Sequence, residues 1–196
     1  MNKKEMNSKD LLLSFLYSPG QKENINEPII GRTKLTKMMY LFEKEIYPKF
    51  FKDELIIELP DFKPYFYGPF SPQLFEDLSF FCSIGMICAN ETTILLSSAD
   101  KVESDEVFEE DNWSEAAFGE EELFEKEYSL TQIGVRYVED KVWSCFTDVQ
   151  KDKLQAFKGQ INKISLDTLL RYVYNKYPED TKKSVIADKY LLKADD

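Results

Sequence analysis

The sequence predicts an α+β fold that is mainly α-helical, with a small antiparallel β-hairpin and extra helices toward the C-terminus. Apolar residues recur at helical spacing in several segments, as they do along the buried side of a helix. Two β-prone stretches flank one acidic segment, which is typical of a hairpin. The resulting order of helix, helix, helix, hairpin and helix is that of a winged-helix-like core.

The first two helices are predicted from caps and apolar spacing. One helix is expected to begin with Ser8 as N-cap and to end at Ser18-Pro19-Gly20. Its buried stripe is Leu11, Leu12, Phe15 and Leu16. After a polar loop, a second helix is predicted over 33–47, with Pro48 closing it. Its stripe is Leu35, Met38, Met39, Phe42 and Ile46.

Residues 50–70 are aromatic and interrupted by prolines, so we expect an irregular packed connection with one short strand. Ser71 followed by Pro72 is typical of a helix start. That helix is predicted to reach Ser83, where Gly85 ends it. Its predicted inward residues are Leu74, Leu78 and Phe81.

The predicted hairpin pairs strands at 92–97 and 127–130. Thr131 is then expected to cap a helix with Val135, Val138, Val142 and Phe146 inward. A short helix over 150–158 follows. Ser165 caps another helix, which Pro178 ends. The last helix is expected near 183–192 and should bury Val185, Ile186 and Tyr190.

Length and composition favour one globular domain over 1–196. The chain has 196 residues, of which 43% are hydrophobic and 14% aromatic, enough to bury a sizeable core and to exclude wholesale disorder. No apolar run approaches the roughly 18–20 residues of a membrane span. The short run after the basic N-terminus lacks a cleavage site for a signal peptide. We therefore expect a cytoplasmic protein without membrane contact.

The net charge of −11 belongs to one segment. Residues 100–127 contain 13 acidic and two basic residues, and the remainder is neutral. This acidic insert lies at the tip of the predicted wing hairpin. It is interpreted as a solvated, partly disordered loop, as a segment that docks on a basic groove through aromatics such as Trp113 and Phe118, or as a nucleic-acid mimic.

The residue types present argue against most catalytic chemistry. The chain has no histidine, which removes the commonest general base and every Ser-His or Cys-His pair. Cys82, Cys88 and Cys145 are expected to be reduced and lack the spacing of a zinc site. No glycine-rich phosphate loop is present. We therefore predict no catalytic residues, no metal and no cofactor; an enzyme built on carboxylates alone stays an alternative.

Four segments carry a resemblance to a known family. They share a KLxKxxYL helix, a YGPxS turn, a YxLTxxG segment after the wing and a late YVYxxYP stretch. The segments are GRTKLTKMMYLFEKE (31–45), FKPYFYGPFSPQLFEDLSFFCSIGMI (62–87), YSLTQIGVRYV (128–138) and LLRYVYNKYPEDTKKSVI (169–186). In these marks the chain resembles the SocA-like Panacea-domain antitoxins and the related YwgA-like predicted transcriptional regulators. The resemblance implies a small α-rich domain without a catalytic site, associated with toxin–antitoxin loci and phage functions. It also implies neutralisation by direct binding, and the founding antitoxin hands its toxin to a protease.

A protein-binding function follows as the first expectation. The partner is expected to be a toxin, a protease, or a phage or host factor, and formation of a homodimer is left open. The predicted partner-binding residues are Tyr65, Tyr67 and Phe70 of the aromatic turn together with Trp113 and Phe118 of the acidic insert. Tyrosine is enriched among the residues that anchor protein interfaces.

The alternative is a winged-helix regulator that binds DNA. Arg32, Lys34 and Lys37 stand at the start of the second helix, where they could contact phosphate; as ordinary solvated residues they would have no such role. The helix over 72–83 occupies the recognition position but carries Glu76 and Asp77 and no lysine or arginine. Acidic side chains repel the DNA backbone, so this helix counts against groove binding.

Overall fold

The computed structural model describes residues 3–94 and 123–191. The α-helices are α1 Ser8–Tyr17, α2 Arg32–Leu41, α3 Tyr47–Phe50, α4 Pro72–Ser83, α5 Gln132–Tyr137, α6 Asp148–Lys163, α7 Leu166–Lys176, α8 Pro178–Thr181 and α9 Ala187–Tyr190. The strands are β1 Lys4–Met6, β2 Ile29–Ile30, β3 Leu55–Ile57, β4 Lys63–Tyr65, β5 Gly68–Phe70, β6 Ile87–Ile94 and β7 Leu123–Leu130. Trp113 and Phe118 lie outside the described residues.

The prediction of a mainly helical α+β fold with small antiparallel sheets and C-terminal helices is confirmed. Strands β6 and β7 form the expected hairpin, in a register that runs from Ile87 opposite Leu130 to Ile94 opposite Leu123. Strand β6 begins five residues before the predicted start at Thr92 and β7 four residues before Glu127, because cross-strand pairing extends both beyond their β-prone cores; residues 95–97 of the first predicted strand lie outside the described residues. The last five residues of the predicted acidic insert, 123–127, therefore belong to β7. The relation to winged-helix proteins stays a prediction.

From Leu11 onward helix α1 is buried on all sides, with Leu11, Leu12, Leu13, Phe15 and Leu16 fully enclosed. Its N-cap is Asn7, whose side chain accepts a hydrogen bond from the Asp10 backbone N–H at 2.7 Å. The prediction of Ser8 was wrong by one residue. The Ser8 hydroxyl instead donates to the buried Asp77 carboxylate at 3.2 Å, which ties α1 to α4.

Pro48 does not close the second helix. After α2 the backbone widens into a π-helical stretch, Phe42–Ile46, in which the Tyr47 N–H bonds to the carbonyl of Phe42, five residues back. Pro48 then lies in the first turn of α3, where a missing N–H is tolerated. The chain therefore stays helical from α2 to Phe50.

The connection between α3 and α4 contains three short strands where one was expected. Strand β3 pairs in parallel with β1, and β4 pairs with β5 across a two-residue loop, Phe66 and Tyr67. Gly68 follows this loop with φ +84°, a conformation that favours glycine. Pro64 faces Pro69 in this small sheet, and neither can donate a ladder hydrogen bond.

The caps at Ser71, Thr131 and Ser165 are confirmed, but the last predicted helix is wrong. Within its predicted range of 183–192 only the four-residue helix α9 forms, and the short helix α8 precedes that range. Val185, expected in the core, is 68% exposed, whereas Tyr190 is buried as predicted. The backbone leaves the helix here because the Val185 N–H donates to the Phe66 carbonyl at 2.9 Å. Within the described ranges, no helix has both the length and the apolar character to cross a membrane.

Gly134 marks the closest approach of α5 to the start of β6. A Cβ at this position would lie 2.3 Å from the Met86 carbonyl oxygen, which belongs to the backbone and cannot rotate away. Gly134→Ala is therefore expected to lower the free energy of unfolding by about 2–3 kcal/mol through overpacking, as measured by urea denaturation. Gly159→Ala is the control, because its Cβ would find the nearest atom at 3.3 Å. Equal losses in both variants would contradict the steric explanation.

Candidate functional site

Lys37 holds the aromatic turn from beneath. Its side chain is only 3% exposed, and its ammonium group donates to the carbonyl of Tyr67 at 2.6 Å and to that of Pro69 at 3.1 Å. A buried lysine needs such partners to offset the loss of its hydration. One cation of α2 therefore fixes the backbone on both sides of Gly68.

Helix α7 closes the same turn from a second side. A Cβ on Gly68 would lie 3.2 Å from the ring of Tyr174, which is fully buried. The hydroxyls of Tyr174 and Ser184 share a hydrogen bond of 2.6 Å, and Ser184 also donates to the carbonyl of Phe66 at 2.9 Å. Three of the four segments that carry the family resemblance therefore meet at this turn.

The upper side of the turn is an exposed aromatic cluster. Phe66 is 54% exposed, and Tyr65 is exposed beside it, their ring centroids 4.6 Å apart. The ring of Tyr65 stacks on that of Phe70 with a centroid distance of 5.1 Å, and the ring of Phe70 packs on that of Phe75 with a centroid distance of 4.7 Å. Together with Val185, whose backbone bonds to Phe66, these four aromatics form what we call the aromatic-turn surface.

The predicted turn residues occupy different positions in this arrangement. Tyr65 is exposed, and Phe70 is half-buried as a platform under it. Tyr67 is half-buried and contributes its carbonyl to Lys37. Phe66 and Val185 were not predicted as surface residues. The only signal for Phe66 was its place in a two-residue loop before glycine, where a side chain has few neighbours to cover it.

The three cations proposed for DNA binding are used inside the fold. Lys37 is buried, so its assignment as a phosphate contact is corrected. Lys34 donates to the carbonyl of Ile164 at 2.7 Å. Burial lowers the pKa of Lys34, and the negative charge of Glu125 offsets only part of this shift. The Arg32 guanidinium lies 5.0 Å from the Phe75 ring. These three side chains point to different neighbours and do not form a basic stripe.

Two carboxylates on elements that pack near the turn, Asp180 and Glu45, accept hydrogen bonds from tyrosines. Asp180 accepts from the Tyr40 hydroxyl at 2.6 Å. Glu45 accepts from the hydroxyls of Tyr172 and Tyr177 and pairs with Lys176 at 3.1 Å. Burial pushes the pKa of Glu45 up, but these three hydrogen bonds outweigh it and hold that pKa below its usual value. This arrangement is a structural network between α2, the π-helical stretch, α7 and α8.

One small crevice borders the turn, and a larger cleft lies elsewhere, beside α5. The crevice between α2 and the turn has a volume of about 10 Å³, room for about one water molecule. A larger cleft of about 340 Å³ beside α5 has Glu139 as the carboxylate in its lining, whereas paired acid/base catalysis requires two. The described parts of the chain hold no group of three or more Cys, Asp or Glu side chains able to bind a metal ion.

Known proteins add no assignment to this geometry. The family resemblance therefore rests on the four sequence segments alone. Comparisons with protein-family models, with curated proteins and with solved structures find no match to this chain.

Proposed function

We propose that this protein is a non-catalytic, cytoplasmic protein-binding module of the antitoxin or adaptor kind, similar to the SocA-like Panacea-domain proteins that its motifs resemble. Its partner is a toxin, a protease, or a phage or host factor. The single observation that carries the proposal is the aromatic-turn surface, where exposed aromatics stand on a backbone fixed by buried groups.

The support beneath the turn is what suits it to binding. Ordering a loop on binding opposes association, and a loop that is already held avoids this loss. Lys37, Tyr174 and Ser184 hold the carbonyls and the glycine of this turn before any partner arrives. Large aromatic side chains presented on a rigid base are the usual anchors of protein interfaces.

The test is affinity capture of the full-length chain from its native host with quantitative mass spectrometry. Wild type is expected to retain a protein partner in near-stoichiometric amount, and Phe66→Ser is expected to reduce its recovery about tenfold or more. Val149→Ser is the matched control, since Val149 is 61% exposed on α6 and lies outside the aromatic-turn surface. Equal recovery by Phe66→Ser and wild type, or no stoichiometric partner, would contradict the proposal.

A DNA-binding assay separates the competing function. We expect no retardation of genomic DNA at low salt, where electrostatic binding is strongest. Retardation by wild type would instead favour the winged-helix regulator, as would its loss in an Arg32→Glu, Lys34→Glu double variant that keeps the wild-type thermal unfolding curve.

A further inference from the structure

A second apolar surface lies away from the aromatic turn. Phe80 and Ile84 at the end of α4, and Ile133 and Tyr137 on α5, are exposed by between 39% and 63%. Each pair is spaced four residues apart, which places its members on one side of their segment. We call these four residues the α4–α5 surface.

The first turn of α1 joins the two pairs at one end. The Lys9 ammonium lies 5.8 Å from the centroid of the Phe80 ring. The Tyr137 hydroxyl donates to the carboxylate of the adjacent Asp10 at 3.0 Å. Phe80 and Tyr137 therefore flank two neighbouring residues of α1, which lie between the α4 pair and the α5 pair at this end.

The two pairs are joined at their other end by backbone contacts. The Thr131 hydroxyl, which caps α5, donates to the carbonyl of Gly85, the residue after Ile84, at 2.6 Å. The Thr131 N–H donates to the carbonyl of Met86 at 3.0 Å. Helix α5 thus begins directly against the end of α4, and its Ile133 lies near this junction.

The charges around this surface are mixed in sign. Lys9 pairs with Asp77 at 3.4 Å, and Glu76 and Arg136 are exposed on α4 and α5. A two-fold interface brings the same patch of both copies together, so the patch must be complementary to itself. A rim of one sign would repel its copy, whereas a rim with both signs can pair with it.

The size and composition of the surface also fit such an interface. Four large side chains, about half exposed, present several hundred Å² of mostly apolar surface, which is the size of the largest apolar patch on a typical monomer and is often functional. Homodimer interfaces have a more apolar centre than other interfaces and favour aromatic residues there. We propose that the α4–α5 surface binds a second copy of this chain and forms a two-fold symmetric dimer.

Sedimentation equilibrium of the full-length chain tests this proposal. Wild type is expected to show a reversible monomer–dimer equilibrium. Ile133→Glu is expected to raise the dimer Kd at least about tenfold, because each substitution enters a symmetric interface twice and places a charge in its apolar centre. Phe80→Glu on α4 should have the same effect, which confirms that both helices contribute.

Val149→Glu is the matched control, because Val149 and Ile133 are 61% and 63% exposed and the two substitutions add the same charge. It should leave the Kd unchanged, and at concentrations where wild type is monomeric all three variants should keep the wild-type thermal unfolding curve. The proposal would be overturned if wild type remained monomeric up to its solubility limit. It would also be overturned if Val149→Glu raised the dimer Kd as much as Ile133→Glu does. Phe66→Ser should still dimerise, so this test is independent of the function proposed for the aromatic turn.

Discussion

Lys37→Met is expected to lower the free energy of unfolding by about 2–4 kcal/mol and to abolish capture of the partner. Methionine keeps the length and the apolar stem of lysine but supplies no donor. The carbonyls of Tyr67 and Pro69 then lose the ammonium that they share, and an unsatisfied buried acceptor costs about 1–3 kcal/mol. Urea denaturation followed by circular dichroism measures the loss.

The control for this prediction is Lys49→Met, which removes an exposed lysine from α3. Surface substitutions of this kind usually change stability by less than about 0.5 kcal/mol. A Lys37→Met variant that loses no more than the control would show that the turn is held without Lys37.

In wild type, the free energy of unfolding is expected to rise with pH above neutrality. Lys158→Met is expected to remove most of this rise. Lys158 is fully enclosed and donates to the carbonyls of Leu16 and Ser18 at 3.0 and 2.7 Å. Burial lowers its pKa to about 7, although Glu27 favours the charged form. The ordinary pKa of 10.5 applies in the unfolded chain.

The sign of the effect follows from proton binding. Between pH 7 and 10.5 the unfolded chain keeps the proton on Lys158 and the folded chain releases it, so stability rises with pH at up to about 1.4 kcal/mol per unit. Burial also lowers the pKa of Lys34. Lys34 therefore adds to the rise of stability with pH, and it does so equally in wild type and in Lys158→Met. Above pH 10 tyrosine ionisation opposes this rise, since burial raises the pKa of Tyr17 to about 12.

Urea denaturation at several pH values from 7 to 9.5 measures this slope. We expect a gain of about 3 kcal/mol in wild type over that window and a clearly smaller gain in Lys158→Met. Lys153→Met, at an exposed position of the same helix, should keep the wild-type slope. Identical slopes in wild type and Lys158→Met would show that Lys158 titrates at its ordinary pKa.

Three helix starts were predictable because one side chain caps one nearby N–H, whereas the Thr147 cap of α6 was missed and that helix is longer than the predicted 150–158. Ser71, Thr131 and Ser165 each accept from the backbone three residues later, and this interaction depends only on local sequence. At α1 the same rule could not choose between Asn7 and Ser8, which are both good caps. The contact of Ser8 with Asp77, 69 residues away, depends on the folded arrangement.

The parts that depend on distant pairing were not predictable. Strands β1 and β3 are three residues each and pair across about fifty residues of chain, so neither has a pattern long enough to detect. Pro48 is a helix breaker by local rules, and only the π-helical stretch before it lets the helix continue. Val185 has the periodicity of a core residue, but a bond to Phe66 holds its backbone at the surface.

The support of the aromatic turn was hidden for the same reason. Lysine is almost never fully buried unless it is paired, and the partners of Lys37 lie 30 and 32 residues away. The available signal was the joint occurrence of the segments KLTK, YGPFS and YVYNKYP. Their side chains and backbone meet at one turn, which no spacing within a single segment could indicate.

Hydrogen–deuterium exchange of the full-length chain, alone and with its captured partner, tests the central claim most directly. If the aromatic-turn surface binds the partner, the amides of residues 63–70 and 184–186 become more protected in the complex, and Phe66→Ser loses this protection. Protection confined to other segments, with the turn unchanged, would contradict the account.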